Sequence, residues 1–98
     1  MAKAYWVTTY RSISNPLALE EYAKLAGPAV AAAGGKILVR GTPAKTYEAG
    51  LNQRTVVIEF PGLQQALAAH ETPGYQAALK ALGEGSVERD MRVVEGAD

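Results

Sequence analysis

"KILVRGTPAKTYEAGLNQRTVVIEF", Lys36 to Phe60, decides the fold. Its ends, "KILVR" (Lys36 to Arg40) and "RTVVIEF" (Arg54 to Phe60), are short runs rich in apolar and β-branched residues, and each reads as a strand. The stretch between them, "GTPAKTYEAGLNQ", is longer than most hairpin loops. A loop of that length often carries function or reaches across to a partner. Two successive strands therefore lie at the centre of the chain, and the question is what flanks them.

On the N-terminal side, "AYWVTTY" (Ala4 to Tyr10) mixes aromatic and β-branched residues and reads as a strand. Asn15 then suits an N-cap and Pro16 the first helical position, where a missing N–H costs nothing. Leu19, Tyr22, Ala23, Ala26, Val30 and Ala33 follow at helical spacing. That stripe keeps its phase across Gly27-Pro28, so the spacing predicts one kinked helix or two nearly collinear ones. Gly34-Gly35 permits the left-handed cap that ends it. On the C-terminal side, Pro61-Gly62 breaks the chain. Leu63, Ala66, Leu67 and His70 share one helical face. Thr72 and Pro73 start a further helix with the stripe Tyr75, Ala78, Leu79 and Leu82, and Gly83 stops it. "VERDMRVVE" (Val87 to Glu95) is the last strand.

The order is β-α-β-β-α-β. Two split βαβ units of this kind give an α+β, ferredoxin-like fold, an antiparallel sheet with helices on one face. Residues 1–98 read as a single such domain. The helices leave the other sheet face uncovered. Antiparallel pairing of the two central strands puts Lys36, Leu38 and Arg40 on that open face with Glu59, Val57 and Thr55. It turns Ile37, Val39, Val56, Ile58 and Phe60 toward the helices. An open face that mixes apolar bulk with paired charge suits an interface, so a homodimer through this face is expected.

Composition narrows the function. Ten basic residues balance ten acidic ones, leaving no broad field to attract nucleic acid or an anionic membrane. Cysteine is absent, which removes disulfides, thiolate nucleophiles and cysteine metal ligands. One histidine makes no zinc site by itself, and neither metal nor cofactor is expected. No apolar run approaches a membrane span and the N-terminus does not read as a signal peptide, so a cytoplasmic location is expected. Gly34-Gly35 follows a helix and precedes a strand, the reverse of a phosphate loop.

Four segments, "GPAVAAAGGKILVRG", "NQRTVVIEFPG", "TPGYQAAL" and "RVVEG", resemble in that order the domain-of-unknown-function 1330 family across nearly the whole chain. The resemblance implies the dimeric α+β barrel superfamily, in which two ferredoxin-like sheets pack face to face. Other branches include small monooxygenases that work without a cofactor, haem-degrading enzymes and chlorite dismutase-like proteins. The sequence departs from the family pattern at His70, where an aromatic residue, often tyrosine, is usual, and at Gly74, where a larger residue is usual.

Six residues are candidates for a ligand site: Tyr10, Arg40, Arg54, Glu59, His70 and Tyr75. His70 suits a general base near neutral pH, but no second histidine, cysteine or nearby aspartate completes a catalytic set. It reads first as a half-buried residue at a helix C-terminus, with Glu71 pointing away if the helix continues. Arg40 and Arg54 flank the long loop and could clamp a carboxylate or another anion; alternatively Arg40 pairs with an acidic residue such as Glu48. Lys36 and Glu59 read first as a cross-strand ion pair. Tyr75 opens a helical stripe, which places its ring in the core and its hydroxyl at a polar pocket. Aromatic walls with Arg or His at the mouth would suit a small aromatic or polyketide-like substrate. Two functions follow: a homodimeric enzyme, oxygenase- or isomerase-like, acting on a small organic molecule, or a non-catalytic dimeric module for ligand binding or stress.

Overall fold

Capping at each break in the chain sets the elements. The computed structural model describes residues 2–97. It contains β1 (Ala4–Ile13), α1 (Pro16–Ala32), β2 (Lys36–Gly41), β3 (Thr55–Phe60), α2 (Leu63–His70), α3 (Pro73–Leu82) and β4 (Val87–Glu95). The Asn15 side chain accepts from the Ala18 N–H at 3.1 Å, so α1 starts where the sequence signals it. The helix then runs through Gly27-Pro28 as one element. Thr72 caps α3 by accepting from the Tyr75 N–H at 3.3 Å, while its hydroxyl donates to the Ala69 carbonyl at 2.9 Å. One threonine thus ends α2 and begins α3.

The strands pair antiparallel in the order β2-β3-β1-β4, the ferredoxin-like arrangement, with all three helices on one face. Trp6, Phe60 and Tyr75 are the largest fully buried side chains. The Trp6 indole donates to the Ala66 carbonyl at 2.8 Å, which satisfies its N–H and fixes α2 against β1. Gly35 is required by space. A Cβ there would stand 2.5 Å from Val30 Cγ1 and 2.9 Å from the Phe60 ring. Gly34 adopts φ +92°, the left-handed cap expected after α1.

One face assignment differs from the alternation read in the sequence. The β2–β3 register slips between Ile37 and Val39, leaving Leu38 without a partner. Val39 then pairs with Val57 on the open face, and Arg40 pairs with Val56 on the helix face. A bulge of one residue exchanges inside and outside for everything beyond it. Arg40 therefore faces the helices, not the open side.

The open face carries Tyr5, Val7, Val57 and Val94 together with Glu59 and Arg92. Lys3 lies 3.4 Å from Glu59, the ion pair expected for Lys36. Arg92 grips Asp90 through two 3.0 Å hydrogen bonds. The molecule measures 37 × 34 × 17 Å, the thickness of one sheet and one helical layer. No described helix is long and apolar enough to cross a membrane.

Candidate functional site

A slot opens between α1 and the β2–β3 half of the sheet. From α1, Tyr22 stands at one end of it and Val30 at the other, with the small residues Ala23, Ala26 and Gly27 between them in sequence. Side chains this small leave room where a leucine or phenylalanine would meet the strands. The unfilled space is about 500 Å³ counted out to the open mouth. Between a helix and a sheet the slot is bounded on two broad sides, which suits a flat guest.

A row of side chains crosses the strands on the helix face at one end of the slot. Arg40 comes from β2, Arg54 from just before β3, Tyr10 from β1 and Arg89 from β4, and all four line the slot. Their alignment follows from pairing. Tyr10 lies opposite Arg89, and its N–H donates to the Arg54 carbonyl at 3.0 Å. Arg54 and Arg89 thus flank Tyr10, with guanidinium carbons 5.8 and 5.6 Å from its ring centre.

The helices contribute two hydroxyls. Tyr22 of α1 and Tyr75 of α3 share a 2.6 Å hydrogen bond. Arg89 Nη1 donates to the Tyr22 hydroxyl at 3.2 Å and to the Tyr10 hydroxyl at 3.0 Å. The proton count matters here. The Tyr22–Tyr75 bond uses one of two O–H protons, so one remains for a guest. Tyr10 accepts from Arg89, so its own proton is also available.

Burial raises the Tyr75 phenol well above its ordinary range, and the neighbouring Tyr22 hydroxyl raises it further; Arg89 offsets only part of this. Tyr75 is therefore a neutral donor at any physiological pH. Burial disfavours the Arg89 cation, but the Tyr22, Tyr75 and Tyr10 oxygens outweigh it and hold its pKa above the usual value. Arg89 stays charged.

No anion answers these cations. Among the described residues, the ion pairs involve Lys3, Arg11, Lys24, His70 and Arg92, and none involves Arg40, Arg54 or Arg89. Glu48 makes none with Arg40. Arg54 Nε is buried without a hydrogen-bond partner, an arrangement that costs about 1–3 kcal/mol or more for a charged group. No aspartate, glutamate or histidine lines the slot. Its polar lining is mostly donors.

The structure brings four of the six sequence candidates to this slot: Tyr10, Arg40, Arg54 and Tyr75. It leaves two outside. Glu59 lies on the open sheet face, beside Lys3. His70 sits behind Tyr75, its ring 5.1 Å from Tyr75 and 6.0 Å from Trp6 between centres. Its Nδ1 is 2.8 Å from Glu71 Oε2. Glu71 does not point away, because α2 ends at His70 and frees the next residue to turn back. Two site residues escape the sequence reading. Tyr22 reads there only as part of a core stripe. Arg89 is overlooked, although it alternates with Val87, Met91 and Val93 on one strand face, an arginine among inward residues.

The model of the family described as a domain of unknown function, DUF1330, matches residues 3–97. A protein of unknown function from Rhodopseudomonas palustris is similar in structure, with TM-score 0.76 and 14% identity over 99% of this chain and 84% of that one. A dimeric ferredoxin-like protein of unknown function from Thermobifida fusca gives TM-score 0.66 and 17% identity, covering 97% of this chain and 92% of that one. A proposed antibiotic biosynthesis monooxygenase from Caulobacter crescentus gives TM-score 0.63 and 15% identity over 99% and 92%. At these identities the likeness concerns the fold. No curated protein matches the sequence.

Proposed function

This chain belongs to the DUF1330 family, and on that premise we propose a homodimer whose slot binds a small, flat organic molecule rich in hydrogen-bond acceptors and stabilises negative charge on it. The observation that carries this reading is the cluster of Arg89, Tyr10, Tyr22 and Tyr75, which offers free protons and positive charge without a carboxylate. Donors fixed before the substrate arrives need no reorganisation when charge develops on an oxygen. An enolate or phenolate whose proton has gone to solvent is the species such a lining would hold, since no side chain of the slot is a base. That suits isomerase-like chemistry when solvent returns the proton at another carbon, or oxygenase-like chemistry when the held anion meets dioxygen. The monooxygenase proposed for the Caulobacter neighbour is compatible with the second form.

The dimer reading rests on surface. The chain exposes 6286 Å², whereas a compact monomer of this mass exposes roughly 5,400 Å². The excess is close to the roughly 800 Å² that each partner buries in a standard interface. The uncovered sheet face is the surface proposed to supply that interface, and the Thermobifida neighbour is described as dimeric. Val94→Asp places an unpaired charge on that face and is expected to split the dimer, read by light scattering. A wild-type monomer at micromolar concentration would overturn this part.

Trp6 is the only tryptophan and lines the slot, so its fluorescence reports occupancy directly. Phenols and enolisable ketones are expected to change it in wild type and to bind at least tenfold less tightly to Tyr22→Phe. Turnover is expected to appear as deuterium uptake beside the ketone carbonyl in heavy water. Binding without uptake favours the non-catalytic module, a reading supported by the absence of His, Asp and Glu from the slot. Equal binding by wild type and variant defeats both.

A further inference from the structure

Arg54 and Arg89 are separated by the β1 strand, and their backbones therefore stand two strand spacings apart, roughly 10 Å. Both guanidiniums lean on the Tyr10 ring from opposite neighbouring strands. The two are not equivalent. Arg89 spends Nη1 on two phenol oxygens and so belongs to the hydroxyl cluster. Arg54 makes no ion pair among the described residues, and its Nε is buried and unpartnered. Arg40 joins Arg54 at the mouth only because the bulge at Leu38 turns it inward. As diagonal neighbours across β2–β3, the two lie within reach of one small anion.

From this asymmetry we infer that the ligand is two-ended: a flat, single-ring acid whose carboxylate meets Arg54 and Arg40 while a second oxygen, on the far side of the ring, meets the Tyr22–Tyr75 hydroxyls and Arg89. The inference rests on the slot being the binding site and adds the class and orientation of its guest. A carboxylate supplies the counter-charge that Arg54 lacks among the described residues, and an arginine head takes it through charge-assisted hydrogen bonds. The opposite end offers O–H protons, which suit a carbonyl or phenol oxygen. Tyr10, Val30 and Val56 also line the slot and give walls for a ring.

Three probes test it: 4-hydroxybenzoate, its methyl ester, and benzoate. Trp6 fluorescence reads each titration on the full chain. Wild type should bind 4-hydroxybenzoate at least tenfold more tightly than the ester, which lacks the charge, and than benzoate, which lacks the second oxygen. Arg54→Gln should remove the preference for acid over ester and leave ester binding unchanged. Tyr22→Phe should remove the preference over benzoate. Should Arg54→Gln not fold, Arg40→Gln at the exposed mouth carries the same comparison with a smaller, about threefold, loss. Equal wild-type binding of acid and ester, or an equal drop for both in the arginine variant, overturns the two-ended ligand alone. Failure of all three probes to bind overturns it together with the proposed site.

Discussion

Beneath α2 the core is closed and beneath α1 it is open, although both helices turn small residues toward the sheet. Under α2, Ala66 and Ala69 are buried against large partners, with the Trp6 and Phe60 rings 5.1 Å apart between centres. Under α1, Ala23, Ala26 and Gly27 face Ile37, Val56 and the arginines, none of which fills the gap. Small residues close a core when their partners are large and hollow it when their partners are medium-sized or must keep a charged head free. The difference between the halves lies in the pairing of volumes, and it separates what holds the fold from what could hold a ligand.

The strongest way to break the comparison is to remove bulk from the closed half. Phe60→Ala deletes a fully buried ring and should cost about 3–5 kcal/mol in chemical denaturation. Adding bulk there should also hurt. Gly35→Ala forces a methyl against Val30 and Phe60 and should cost about 1–3 kcal/mol. A near-neutral result for either would mean that this half is no tighter than the slot.

The elements and the fold were legible in the sequence, and the division of the core was not. Asn15-Pro16, Gly34-Gly35 and Thr72-Pro73 mark the helix ends, and the strand order follows from the two strands that Lys36–Phe60 contains. The stripe on α1 already shows alanines where a core helix commonly carries leucine. The bulge was not legible, because "ILV" is apolar at three successive positions and gives alternation no phase to test. Arg40 therefore lands on the wrong face when read from sequence. Glu59 and His70 are attractive for their chemistry, but Glu59 lies on the open sheet face, as alternation already implied, and the end of α2 puts His70 behind Tyr75. Chemical type alone does not show which face a residue takes.

Where the closed half meets the slot, Tyr75 sharpens the boundary through pH. Its folded-state pKa is raised by burial, so between its ordinary value near 10 and the raised one the unfolded chain loses a proton that the folded chain keeps. The contribution is intact below pH 10 and stability falls as pH rises above it. Wild type should lose about 1.4 kcal/mol per pH unit in that range relative to Tyr75→Phe, since one proton is at stake. Parallel stability curves for the two proteins from pH 9 to 11 would show that Tyr75 ionises freely and that the hydroxyl cluster is open to water.

The smallest effect falls in the open half and has the opposite sign. A Cβ added at Gly27 meets nothing within 4 Å, in contrast to Gly35 eight positions along. Alanine in a helix interior is favoured over glycine by about 1 kcal/mol. Pro28 follows and disfavours helical dihedrals for a residue with a side chain, which removes part of that gain. Gly27→Ala should therefore stabilise the protein by roughly 0.5 kcal/mol, the low end of gains from such replacements. The new methyl projects from a residue that lines the slot, so ligand affinity should fall as stability rises. Gly27→Leu should deepen the loss of binding without unfolding the chain, because the space it enters is empty. If Gly27→Ala instead destabilises as much as Gly35→Ala, the slot is not hollow in solution, and the contrast between the two halves of the core fails at its most sensitive point.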